Sequence, residues 1–94
     1  MPTIEEHVQR SAARTGNGYL EVHRWIDDQN QAKMAEKHDL KRLLQHAQTV
    51  KETWGQEASQ EYVLHLCDDI RNVLLLKKLL TPEVTEAIAL FGIE

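Results

Sequence analysis

A single cysteine, Cys67, among ninety-four residues removes two possibilities at once. An internal disulfide needs two thiols and a cysteine-rich zinc knuckle needs several, so neither forms, and the chain suits a reducing compartment. Two prolines and four glycines are too few for a collagen-like or low-complexity chain. Basic residues are outnumbered, eleven Lys and Arg against fifteen Asp and Glu, for a net charge of −4. They are also dispersed, so the electrostatic footprint of a nucleic-acid binder is missing and nucleic acid is not expected as a partner. No apolar run approaches membrane-spanning length, and the opening MPTIEEHVQR lacks the basic and apolar regions of a signal peptide. We therefore expect no membrane association and a cytoplasmic location, which a bacterial, phage or plasmid origin would fit equally.

What is present is an ordinary globular composition, 41% hydrophobic and 28% charged. A chain of this length buries roughly two-thirds of its unfolded surface, enough for one modest core, so residues 1–94 are read as a single domain. Thr3 with Glu6 forms a capping box that predicts a first helix over 4–14, closed by the turn residues TGNG. YLEVHRWID starts a second helix, with Asp27 or Asp28 as an N-cap for a third. The spacing leaves open whether 19–54 is one bent helix or two. Gly55 is a stop signal, a long periodic segment resumes at Ser59, and Thr81-Pro82 restarts the chain as a last helix running to Gly92. No stretch alternates in the manner of a strand. The expected fold is all-α, a helical bundle of four to five helices in a single small domain.

A helix advances about 100° per residue, which decides where each ionisable group points. Tyr19, Leu20, Val22, Trp25 and Ile26 define an apolar face, and His23 and Asp27 fall within it. The fourth segment repeats the arrangement: Tyr62, Leu66, Ile70, Val73 and Leu80 mark its core stripe, with His65 and Asp69 along the margin. In the third, Leu40, Leu43, Ala47, Val50 and Trp54 mark the core, Asp39 and His46 lie on its margin, and His38 points toward solvent. His7 sits beside Ile4 and Val8 in the first helix. Composition alone yields about 0.3 His-x-x-x-Asp spacings by chance, so two form a pattern.

Imidazoles and carboxylates at a core margin need partners, because an unpaired buried polar group costs a few kcal/mol. Converging on a divalent metal is one solution. Nitrogen and oxygen donors together suit Zn, Fe, Mn, Ni or Co, and four residues is the spacing at which two helical side chains reach one ion. His23, Asp27, His65 and Asp69 are the leading ligand candidates, with Asp39 and His46 next; a metal-dependent hydrolase of phosphate esters or nucleotides is the corresponding activity. The competing reading makes the pairs a structural polar network in a non-enzymatic interaction module, for example a phage or accessory inhibitor with a protein partner. The aromatics Tyr19, Trp25, Trp54, Tyr62 and Phe91 read as core residues rather than a base-stacking platform, and Cys67 as a small core hydrophobe. In VLLLKKLL, Leu75 and Leu79 fall outside the core arc, so the final helix with Ile88, Leu90, Phe91 and Ile93 covers them, or a second subunit does, giving a homo-oligomer through the leucine-rich fourth helix.

YLEVHRWID, KHDLKRLLQHA and YVLHLCDDI together resemble an uncharacterised family of small bacterial and phage proteins with a Tyr-Leu-x-x-His-x-Trp-x-Asp signature. The resemblance implies a small helical fold and a shared role for His23 and Asp27. A weaker likeness is to HD-domain phosphohydrolases, whose metal site combines an upstream His, an adjacent His-Asp pair and a downstream Asp. It implies a ligand set of His23, His38 with Asp39, and Asp69.

Overall fold

In a computed structural model, residues 2–92 are described. Among them are six α-helices and one 3-10 turn, with no strand, so the fold is all-α. Helix α1, Ile4–Thr15, opens as expected on the Thr3 hydroxyl, which accepts the Glu6 N–H. It ends where Gly16 adopts a left-handed φ of 84° and its N–H reaches the Ala12 carbonyl. The chain then passes close over α1. A Cβ on Gly18 would lie 2.6 Å from Cγ1 of Val8, so glycine permits this approach.

Helix α2, Leu20–Ile26, is short. Beyond it Asp28 folds an Asx turn onto the Asn30 N–H, which moves the N-cap role expected for Asp27 or Asp28 to Asn30, at the head of α3, Gln31–Lys37. The stretch 19–54 is thus neither one helix nor two: α2 and α3 are followed by a 3-10 turn, Leu40–Arg42, and by α4, Leu43–Trp54. This division raises the helix number above the expected four to five. Gly55, at φ 104°, stops α4, and α5, Gln56–Leu76, starts at the next residue rather than at Ser59. Helix α6, Pro82–Ala89, is capped by the Thr81 hydroxyl with proline in its first turn, and a short turn carries the chain on to Gly92.

The turn at Gly55 folds α5 back along α4, where the Ser59 hydroxyl donates to the Ala47 carbonyl at 2.8 Å. Val22 and Ile26 of α2, Val50 of α4, and Ala58, Tyr62 and Leu66 of α5 form the buried core. Trp25 sets its edge against Trp54 and Tyr62, with ring centroids 6.1 Å apart in both pairs. Two ties attach the outer helices: Arg14 of α1 grips the buried Glu61 carboxylate at 2.8 Å, and the Tyr62 hydroxyl donates to the Lys37 carbonyl at the end of α3.

The 3-10 turn, the far half of α5 and the chain beyond α6 differ from expectation. Leu40, Ile70 and Val73 are exposed rather than core, and Phe91, expected in the core, is 83% exposed. The reason is geometric: α5 runs on past the helices that cover its first half, and α6 leaves Leu75, Leu79, Leu90 and Phe91 open. Ile93 lies outside the described residues. No helix among the described residues is long and apolar enough to cross a membrane.

Candidate metal centre

Two groups of ligand-type side chains meet where α1, α2, the end of α3 and α5 converge. The inner group is His7, His23 and His65, each fully buried. Their rings stack, with His7 and His65 centroids 3.5 Å apart and the planes inclined by 16°. The outer group is Asp27, His38, His65 and Asp69, half-buried on one side. His65 belongs to both.

Each outer residue has a local reason for its position. Asp27 is the C-terminal cap of α2, where the backbone leaves helical geometry and frees its side chain to turn outward from His23. His38 caps α3, and Met34, one turn earlier, fixes its ring: the Nδ1–H donates to the Met34 carbonyl at 2.7 Å, leaving Nε2 aimed at the carboxylates. Lys37 holds the ends of α2 and α3 together by donating to the Trp25 carbonyl at 2.6 Å, with its ammonium over the Trp25 ring. His65 and Asp69 lie one turn apart on the buried face of α5.

The outer group forms a closed ring of alternating nitrogen and oxygen. His38 Nε2 lies 3.2 Å from Asp27 Oδ1 and 3.1 Å from Asp69 Oδ2, and His65 Nε2 lies 3.3 Å and 3.2 Å from the same two oxygens. Metal–ligand bonds of about 2.0–2.2 Å place neighbouring donors about 2.9–3.5 Å apart in octahedral or tetrahedral arrangements, so all four separations fit one ion. His65 Nε2 is buried and forms no hydrogen bond, although two carboxylate oxygens are near it. These donors could hold a metal ion.

A second layer fixes that ring. The other oxygen of Asp69 accepts from His7 Nε2 at 3.0 Å. Behind His65, its Nδ1 lies 2.8 Å from His23 Nδ1, and His23 Nε2 is 2.7 Å from the Ser11 hydroxyl. Metal-bound histidines elsewhere are oriented through the far ring nitrogen in this way.

The four ring groups and His23 behind them are electrostatically coupled. Burial opposes ionisation of both Asp27 and Asp69, yet the facing His38 and His65 rings, joined at Asp69 by His7, outweigh it and hold both carboxyls below the ordinary range. Asp27 and then Asp69 push His38 up to about 10. Burial disfavours charge on His65, but the same two carboxylates prevail and raise it. Burial, reinforced by the charges of His65 and His7, lowers His23 to about 4 and keeps it neutral.

The structure therefore brings together Asp27, His65 and Asp69 from the expected ligands and sets His23 one ring behind them. It does not bring Asp39 or His46 to either group. Asp39 caps the 3-10 turn by accepting the Lys41 N–H, and His46 lies edge-on to Trp25 and Tyr62 in the core. The helical projection fails at His38 and Asp39 because α3 ends there, so the 100° phase does not carry across the turn. His38 joins the ring instead of facing solvent. His7 had a legible signal in its place beside Ile4 and Val8, and with Ser11, one turn on, it is buried.

Fold and site define a small all-α domain with a buried His/Asp group that could hold a metal. No protein family, curated protein or solved structure matches the chain.

Proposed function

We propose that Asp27, His38, His65 and Asp69 bind one divalent cation and that the domain is a metal-dependent hydrolase of phosphate esters. The observation that carries this reading is the ring of four nitrogen–oxygen separations between 3.1 and 3.3 Å, closed by a buried histidine nitrogen without a hydrogen bond. Two carboxylates match the charge of a dication, and two imidazoles add donors suited to Zn, Fe, Mn or Ni. When bound, the ion supplies Lewis acidity toward a phosphoryl oxygen and makes an attacking water more acidic. The chain's own residues do the rest: Met34 and His23 fix the ring tautomers, and His7 holds Asp69 in place. The likeness to HD-domain phosphohydrolases supports the choice of ester through His38 and Asp69. Of the other two residues that likeness implies, Asp39 caps the 3-10 turn and His23 stands behind His65.

Elemental analysis of untagged protein, with melting curves before and after chelation, tests the centre. Stoichiometric metal and a melting temperature that falls on chelation are expected, since saturation at about 1,000 Kd adds about 4 kcal/mol. Metal-free protein with an unchanged melting temperature overturns the reading.

A second reading concerns assembly, and the exposed Leu75 and Leu76 at the end of α5, Leu79 just beyond it, and Leu90 and Phe91 favour it. We propose that this apolar stripe pairs with a second copy of the chain. Light scattering should give a dimer that Leu79→Lys converts to monomer; a wild-type monomer at high concentration refutes it.

A further inference from the structure

His38 and Asp69 do more than close the ring. They also form one wall of a cavity of about 290 Å³, whose other walls are Leu40, Leu66, Ile70, Val73 and Leu74. This opening leads from solvent to two of the four proposed ligands along five aliphatic side chains, with no lysine or arginine in the lining. Its volume lies near the lower end of the range for small-molecule sites, about 300–1,000 Å³.

From this we infer that the centre acts on a small amphiphile, a phosphate monoester of an apolar alcohol, with its head at the metal ligands and its body in the groove. The inference rests on the proposed metal centre. Charge and shape select this class. Two carboxylates neutralise a dication, so an ester carrying one phosphoryl group adds its charge at a balanced site. A di- or triphosphate would bring several further charges into a lining that has no lysine or arginine to meet them, which disfavours nucleoside di- and triphosphates. The aliphatic walls contribute only where the ligand presents carbon: each methylene removed from water there strengthens binding about fourfold. Ile70 and Val73, too exposed to count as core, acquire a role as the outer walls of this groove.

The test is a series of n-alkylphosphonates, methyl to hexyl, titrated calorimetrically into metal-loaded protein. The expected result is an affinity that rises about fourfold per methylene until the groove is filled. Val73→Asp should flatten this dependence, while Leu75→Asp, on the opposite side of α5, leaves its slope intact. Binding of methylphosphonate with no gain from longer chains overturns the inference and leaves the metal centre standing. Equal binding of hexylphosphonate to metal-free protein overturns it too, because the head then plays no part. Absence of chain-length dependence together with a dimer that Val73→Asp dissociates assigns the groove to a second copy. Failure to take up metal at all defeats the underlying reading, and does so before any phosphonate is added.

Discussion

The Nδ1 atoms of His23 and His65 face each other at 2.8 Å, close enough to share one proton. Two ring nitrogens this close need one donor and one acceptor. Burial keeps His23 neutral, lowering it to about 4, while the carboxylates raise His65. His65 therefore donates, His23 accepts at Nδ1, and the second nitrogen of His23 donates to Ser11. This order leaves Nε2 of His65 facing the two carboxylates, as the atom that would give up its proton for a cation.

If His23 sets that tautomer, His23→Ala should weaken metal binding although all four ring residues remain. The expected loss is about 10–100-fold, the usual effect of removing a partner behind a metal-bound histidine. His46→Ala and Asp39→Ala should leave affinity unchanged. Competition with a chelator of known affinity measures all three.

In metal-free protein, stability should peak near pH 6.5. His23, lowered by burial to about 4, accepts a proton more readily when unfolded, so its contribution is complete above about pH 6.5 and declines as pH falls toward 4. His38, raised by Asp27 and Asp69 to about 10, contributes fully below about 6.5 and loses that contribution as pH rises toward 10. The depressed Asp27 and Asp69 carboxyls add a further loss below about pH 3.8. Urea denaturation across pH 4–10 checks the shape, and a stability that climbs steadily from 7 to 10 contradicts it.

Gly18→Ala should destabilise the fold by about 1–3 kcal/mol, as overpacking does, because its Cβ would meet Val8 Cγ1 at 2.6 Å. Combining it with Val8→Ala should cost less than the two single changes added together. Chemical denaturation of the four proteins provides the cycle.

Tyr62→Phe should cost about 1 kcal/mol, since the Lys37 carbonyl loses its 2.7 Å donor. The effect should extend to metal affinity, because that carbonyl anchors the end of α3 next to His38. A variant that melts early but binds metal as tightly as wild type would separate the two.

Most of the helical architecture was legible in local chemistry. Thr3, Gly16, Gly55 and Thr81-Pro82 each predict a boundary that the structure places within a few residues, because caps and glycine stops act through nearest neighbours. Three of the ring donors, Asp27, His65 and Asp69, were visible from helical phase. The crossing of the pairs was not: Asp27 turns away from His23 and toward His65 because α2 ends at that residue, which depends on the Asx turn at Asp28. His38 escaped the same projection for a similar reason. Phase arguments hold inside a helix and lapse at its cap, and two of the four ring residues sit at caps.

The clasp between His7 and Asp69 spans 62 positions of sequence, whereas α4 and α5 meet across a single glycine. Closing the shorter loop costs far less entropy, so the α4–α5 hairpin should assemble early and α1 dock late. The late-docking helix carries His7 and Ser11, which stand behind the ring rather than in it. In hydrogen exchange, α1 should open more readily than the α4–α5 hairpin. Its opening would expose the back of the centre to solvent while its donors stay on the remaining helices.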